Sequence, residues 1–457
     1  MSSGRITLRP VTRDGRIETV LVRMDLDGTV LPEGREVCYA QLETVSVPGA
    51  VPEDLHITDA EGPVPFTERD EEVYPILFRH YEAGRDIRGH LTISYRVTTC
   101  ERLAEGRHGP YFQMARELDG FSSPGIAFLN GVPGFEGSVD LVWDLTEAES
   151  GQRGVCTWGE NDVDGISSLE ELRQCYFMFG QVHSVGSGDF GFYWLTQPPF
   201  DVSAMADYTR KLFGIMQKFF RDTGSVYRIF MRHDLTVSSG GTALVRSYMF
   251  GWNDHEQLSL RDKQNLLAHE MVHNWPSLND VPYGITTWYA EGTAEYYSIM
   301  IPLRAGLITP QEAMGEIQKR TDAYYTNPTR HLGNMEAAGV AWKDRRAQRL
   351  SYGRGFFFLA LTDAEIRRRT HGSKSLDDVV LDILDKGRAG VTLGNEVFLG
   401  SVQALGVDVR DKWEIMQNGG HFAPDPDSFD GLFDVKEVPA EEADTGNAAV
   451  SYQWTLR

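Results

Sequence analysis

Two hydrophobic periods divide this chain. Through residues 1–195 the pattern is close to two. Ile6-Thr7-Leu8-Arg9 and residues 18–24, 91–97 and 139–143 alternate or are β-branched, and each predicts a strand. Glycine and proline punctuate them, as in Val47-Pro48-Gly49 and Gly131-Val132-Pro133-Gly134. Residues 167–174 predict one short helix. The first 195 residues therefore read as an all-β sandwich or open barrel.

Beyond this point the period lengthens. Residues 202–222 form an amphipathic pattern carrying Leu212, Ile215, Phe219 and Phe220. A strand at 226–231 is followed by Ser238-Ser239-Gly240-Gly241, a glycine turn into another strand. A helix over 259–275 starts at the Ser259-x-x-Asp262 signal and stops at Pro276, with Ala268, Met271 and Trp275 as its core face. Further helices are predicted over 288–297, 309–325 (capped by Thr309 and Pro310), 354–370 (closed by Arg367, Arg368, Arg369 and Gly372), 375–384 and 395–405. An acidic, proline-containing stretch at 424–446 precedes a last strand at 449–456. The fold class is α+β, with domains at 1–195 and 196–405 and an extension at 406–457.

Composition adds few constraints. The chain of 457 residues exceeds one simple core and is 41% apolar and 24% charged, as globular proteins are. A net charge of −22 argues against nucleic acid or an anionic membrane as the main partner. Cys38, Cys100, Cys156 and Cys175 show no C-x-x-C spacing and fit free thiols in a reducing compartment. MSSGRITLRP has no apolar signal region, and no apolar run nears the roughly 20 residues of a membrane span. The expectation is a soluble cytoplasmic protein; oligomeric state is not legible.

Chemistry concentrates in His269-Glu270-Met271-Val272-His273. Two histidines four apart lie on one helix face and reach one ion, while the glutamate between them points beside it. From there Glu270 can deprotonate a metal-activated water as general base. Catalytic zinc takes three protein ligands and keeps one position open, and two His with one Glu is a known set. Glu291 in Trp288-Tyr289-Ala290-Glu291-Gly292 is the candidate third ligand. Glu295, one turn on, is placed to accept the other ring N–H of a ligating histidine. Gly292 costs about 1 kcal/mol against alanine inside a helix, which predicts close approach to the helix of the two histidines. His80, His90, His108 and His183 stand alone and read as core or surface residues.

H-E-x-x-H followed by W-x-x-E-G resembles the gluzincin metallopeptidases. Tyr352-Gly353-Arg354-Gly355 and the later Thr370-His371-Gly372-Ser373-Lys374-Ser375-Leu376-Asp377-Asp378 resemble the glycyl aminopeptidase family within them, with Arg354 where that family has lysine. The resemblance implies a thermolysin-like catalytic domain, mostly helical after the H-E-x-x-H helix, behind an N-terminal β domain. It implies that Tyr352 stabilises the oxyanion, and that a strand after Gly240 and Gly241 pairs with the substrate main chain. A glutamate that grips the free α-amine follows those glycines in related aminopeptidases; here Thr242, Ala243 and Leu244 stand there. The family often ends in a PDZ module, for which residues 406–457 are too few.

The sequence thus predicts zinc-dependent peptide-bond hydrolysis, with one Zn2+ per chain on His269, His273 and Glu291, and Glu270 and Tyr352 catalytic. The substrate is a peptide, strict aminopeptidase activity is weakened or absent, and a blocked N-terminus is tolerated. The alternative is a non-peptidase gluzincin-like hydrolase or an inactive binding module; an intact Glu270 speaks against inactivity.

Overall fold

A computed structural model describes residues 3–102, 110–222, 224–236, 240–255, 260–282 and 284–457. The chain forms two compact units, Met1–Tyr208 with Gly224–Leu260, and Thr209–Thr223 with Arg261–Arg457.

The first unit is built from sheets. Seven strands run in the order Val163–Ile166, Ser138–Trp143, Ser3–Arg13, Arg16–Leu31, Ile87–Thr98, Glu53–Asp59, Gly62–Pro63. Ser3–Arg13 pairs antiparallel with Arg16–Leu31 and parallel with Ser138–Trp143. Alternation sends Ile6, Leu8, Val20, Val22, Met24, Leu91, Ile93, Leu141 and Trp143 inward. They share one core with Phe121, Phe177 and Phe179 of a six-stranded sheet, so two sheets pack on each other as the period predicts. The short helix is α1 (Leu169–Arg173), capped by Ser168. Four further strands, Val47–Pro48, Glu36–Thr44, Ile76–Ala83 and Phe66–Val73, escaped the sequence reading. Phe66–Val73 is nearly all exposed and charged, so it has no buried face to betray it; cross-strand pairs such as Arg79–Asp70 at 2.7 Å hold it.

The last sheet of this unit differs from the expected boundary at 195. His183–Ser187 and Phe190–Trp194 join Tyr227–His233, Ser247–Trp252 and Gly241–Leu244 in one five-stranded sheet. Phe190–Trp194 pairs parallel with Tyr227–His233 across the intervening helix α2 (Val202–Phe219), so hydrogen bonds tie both sides of residue 195 together.

The second unit is helical. It holds α3 (Leu260–Val272), α4 (Thr287–Arg304), α5 (Pro310–Tyr325), α6 (Asn334–Val340), α7 (Arg345–Gln348), α8 (Leu350–Arg369), α9 (Leu376–Arg388), α10 (Asn395–Gln403) and α11 (Arg410–Gln417). A hairpin of Phe433–Glu441 and Ala448–Leu456 closes it, so part of the acidic stretch is a strand. Thr309 and Glu312 make the predicted capping box of α5. The predicted Ser259 start of α3, with the Asp262 side chain, lies outside the described residues, as do His108, Ser238 and Ser239. No described helix is long and apolar enough to cross a membrane.

Three sequence readings need correction here. α3 ends at Val272, not Trp275: the amides of Asn274 and Trp275 turn back to the carbonyls of Met271 and Val272 at 3.2 and 3.0 Å, tightening the last turn. Tyr352 lies inside α8, not ahead of it. Gly292 makes its close approach to α8, not to α3. A methyl on Gly292 would lie 2.5 Å from the Gly355 carbonyl carbon, and one on Gly355 would lie 1.8 Å from the Trp288 carbonyl oxygen.

Around this contact, Asp363 of α8 accepts from Tyr296 Oη of α4 at 3.1 Å and from the Leu376 amide of α9 at 2.8 Å. Ser375 and Asp378 form a capping box on α9, and Asp377 pairs with Arg304 of α4 at 3.0 Å. The Ser375-Leu376-Asp377-Asp378 run is thus a helix start tied to α4. Arg354 is buried and braces a loop, donating to Asn334 Oδ1 at 2.6 Å and to the carbonyls of Arg330 and Leu332 at 2.8 and 2.7 Å.

Two glycine substitutions separate packing from helix propensity. Gly355→Ala gains up to about 1 kcal/mol of propensity but incurs about 1–3 kcal/mol of overpacking, so its unfolding midpoint falls. Gly315→Ala in α5, where an added methyl meets nothing within 4 Å, raises it. Denaturation of the two variants beside the parent protein checks the opposite signs.

Candidate metal centre and active site

The core face of α3 sets the position of its histidines. Ala268 and Met271 are fully buried, and Trp275 donates from Nε1 to Asp222 Oδ2 at 2.7 Å while stacking on Phe220. The opposite face turns His269, Glu270 and His273 toward α4. Glu291 lies in the second turn of α4 and Glu295 one turn on.

Ligand atoms of His269, His273 and Glu291 all lie within 4.8 Å of one another. The two Nε2 atoms are 3.2 Å apart, and Glu291 Oε2 lies 3.3 Å from the first and 3.7 Å from the second. That oxygen is buried and takes part in no hydrogen bond. Two imidazole nitrogens and an unsatisfied carboxylate oxygen make an electron-rich pocket that a divalent cation would neutralise. The donor set, two nitrogens and one carboxylate, fits zinc.

Glu295 stands on the far side of His269, its Oε1 3.5 Å from Nδ1. Its other oxygen pairs with Arg320 of α5. Arg320 also meets Glu316 at 3.0 Å and Asn265 of α3 at 2.6 Å, so one guanidinium links three helices. A carboxylate on Nδ1 leaves Nε2 as the free donor, the tautomer a metal needs.

Glu270 is half-buried and is not part of the converging trio. Burial pushes its carboxyl up to about 7. Burial pushes His273 down to about 4. For His269 burial acts the same way, but the Glu295 and Glu291 carboxylates outweigh it and hold the ring up at about 9. Burial opposes charge on Glu291 too, yet His273 and His269 keep its carboxyl below the usual range. Tyr352 stacks on the His269 ring with centroids 5.6 Å apart and planes 6° apart. Its burial, with Glu291 nearby, raises the phenol well above its ordinary value and keeps it protonated.

The structure therefore brings His269, Glu270, His273, Glu291, Glu295 and Tyr352 into one cluster. Gly240 and Gly241 lie in the other compact unit. Gly241 opens the edge strand Gly241–Leu244, and a methyl on it would lie 1.7 Å from Tyr248 Oη, which gives this glycine a packing reason of its own. The Gly240 amide donates to Tyr111 Oη at 3.2 Å. Sequence reasoning missed Arg320 and Arg349. Arg320 left one faint signal, its spacing of four from Glu316. Arg349 left only its place three residues before Tyr352.

Residues 262–354 match the model of the M61 glycyl aminopeptidase family. No curated protein sequence matches the chain. Among solved structures, an aminopeptidase N family protein from Idiomarina loihiensis is similar at TM-score 0.66 and 14% identity, over 98% of this chain and 81% of that one. Yeast LTA4 hydrolase is similar at 0.59 and 14%, over 94% and 69%. An M1 zinc metallopeptidase from Deinococcus radiodurans is similar at 0.58 and 12%, over 93% and 94%. At these identities the solved structures establish the fold, a β region followed by a mostly helical one. The resemblance read from the motifs holds, and the matched segment contains the whole cluster. The chain is aminopeptidase-like in that segment and in fold.

The contact through Glu295 has a measurable consequence. Glu295→Ala lowers divalent-metal affinity by about 10–100-fold, as loss of a carboxylate behind a ligating histidine does. Chelator competition measures it. Unchanged affinity would mean the 3.5 Å contact does not orient His269.

Proposed function

We propose that this chain hydrolyses peptide bonds with one zinc ion held by His269, His273 and Glu291. The observation that carries this reading is the convergence of those three donors beside a separate glutamate, inside the segment that matches the glycyl aminopeptidase family. Zinc, when bound, supplies a Lewis acid that makes water nucleophilic at neutral pH and polarises a carbonyl. Glu270 is the general base: it takes the proton of the attacking water and passes it to the leaving amine. Burial raises the proton affinity of this carboxyl, which favours taking the water proton and holding it until the amine leaves. Tyr352 donates a hydrogen bond to the oxyanion, which its raised phenol can do without ionising.

The free α-amine of a substrate is the weak point of an aminopeptidase reading. An ammonium group taken out of water needs a carboxylate partner. The strand that the resemblance assigns to the substrate main chain carries Thr242, Ala243 and Leu244. Glu295 is already engaged by Arg320 and His269. Main-chain pairing does not depend on a terminal charge. The reading is therefore a peptidase that tolerates a blocked N-terminus.

Elemental analysis of protein purified without added metal is expected to find one zinc per chain; Glu291→Ala loses it. Glu270→Gln keeps the zinc and loses at least about 10²-fold in turnover. If that variant released the metal, ligand and base would be misassigned. Tyr352→Phe lowers kcat more than it raises KM, because its hydrogen bond forms in the transition state. Matched peptides with free and acetylated N-termini are cleaved at comparable rates. Stepwise removal of single residues from the free peptide alone would restore strict aminopeptidase action.

A further inference from the structure

Arg349 stands at the junction of α7 and α8, exposed, with its guanidinium carbon 4.8 Å from the centre of the Tyr352 ring. Among the described residues its side chain makes no hydrogen bond and no ion pair. The other cation of the centre, Arg320, is engaged by Glu295, Glu316 and Asn265. Arg349 lies close enough for its charge to act on Glu270, Glu291 and Tyr352 alike.

From this unpartnered guanidinium beside the oxyanion tyrosine we infer that Arg349 selects peptide substrates carrying a carboxylate close to the scissile bond. The inference rests on the peptidase reading above and adds the substrate class. Two observations converge on it. First, a planar guanidinium with all its donors free matches a carboxylate in a bidentate fork. Second, its distance from Tyr352 limits where that carboxylate can sit. An extended peptide advances about 3.3 Å per residue, so a group gripped at Arg349 belongs within about two residues of the carbonyl that Tyr352 faces. The carboxylate can be an Asp or Glu side chain, or the C-terminus of a short peptide.

The experiment pairs peptides that differ only in this charge: Glu against Gln at each position flanking the cleaved bond, and a short peptide acid against its C-terminal amide. The ratio of kcat/KM, carboxylate over neutral, is expected to be at least about tenfold in one or both pairs for the parent protein. It collapses toward one in Arg349→Gln and recovers in part in Arg349→Lys. The pair that shows the ratio identifies the source of the carboxylate. Added salt narrows the preference, because the site is exposed. A parent ratio near one, or an Arg349→Gln variant that slows both members equally and keeps the ratio, overturns the inference; the second result would make Arg349 a support for Tyr352 alone. Failure of the peptidase reading is separable. Binding of the same peptide pairs to zinc-loaded Glu270→Gln protein, with and without Arg349→Gln, is measured by calorimetry. A carboxylate preference lost with Arg349 supports the inference even if no peptide is cleaved, and equal binding of both members overturns it.

Discussion

Where α4 meets α8, two helices touch main chain to main chain, because neither Gly292 nor Gly355 has a side chain to hold them apart. Gly292 follows Glu291 directly, and Gly355 is three residues beyond Tyr352, on the same helix face. The spacing between Glu291, the proposed metal ligand, and Tyr352, the proposed oxyanion donor, is therefore fixed by the absence of two methyl groups. The polar contacts around it act as fasteners. Asp363 takes the Tyr296 hydroxyl of α4 and the first amide of α9, and Asp377 holds Arg304. Each has its partner, so these acids are structural.

The same economy shows in how charge is distributed around the centre. Burial alone would favour the neutral forms of His269, His273, Glu270 and Glu291. The outcome differs from residue to residue because the partners differ. Glu291 stays ionised between two imidazoles, and His269 is biased by carboxylates on both of its nitrogens. Glu270 has a weaker hold on any cation and is left near neutrality. Two helices, α3 and α4, thus hold glutamates of opposite proton affinity, Glu270 raised and Glu291 lowered, without any change in residue type.

Much of this was legible in the sequence. The two periods separated the β region from the helices; helix geometry put the two histidines of H-E-x-x-H on one face, and the resemblance carried by W-x-x-E-G pointed to Glu291. Contacts between elements were not legible in the same way. Gly292 announced a close approach but not its partner, since a missing side chain leaves no complementary pattern in Gly355. Residues 66–73 have no buried face, so periodicity could not find that strand. The end of α3 was misread by three residues because Pro276 forbids continuation yet does not say where fraying begins. Arg320 and Arg349 are single exposed-type residues in unremarkable surroundings, and only their neighbours in space give them meaning.

The hairpin at the end of the chain acquires a different significance once Arg320 is followed outward. Trp454 is buried against α5, where its ring N–H donates to Thr321 Oγ1 at 2.8 Å and its amide donates to Gln318 Oε1 at 3.0 Å. Gln318 in turn donates to the Tyr452 carbonyl at 2.9 Å. These contacts bracket Arg320 on the helix that reaches Glu295, and through it His269. A chain of four links, strand to helix to guanidinium to carboxylate to imidazole, connects the final strand to the candidate metal centre. Opening of this hairpin is then expected to loosen the carboxylate behind His269, and amide exchange along Ala448–Leu456 would report on it.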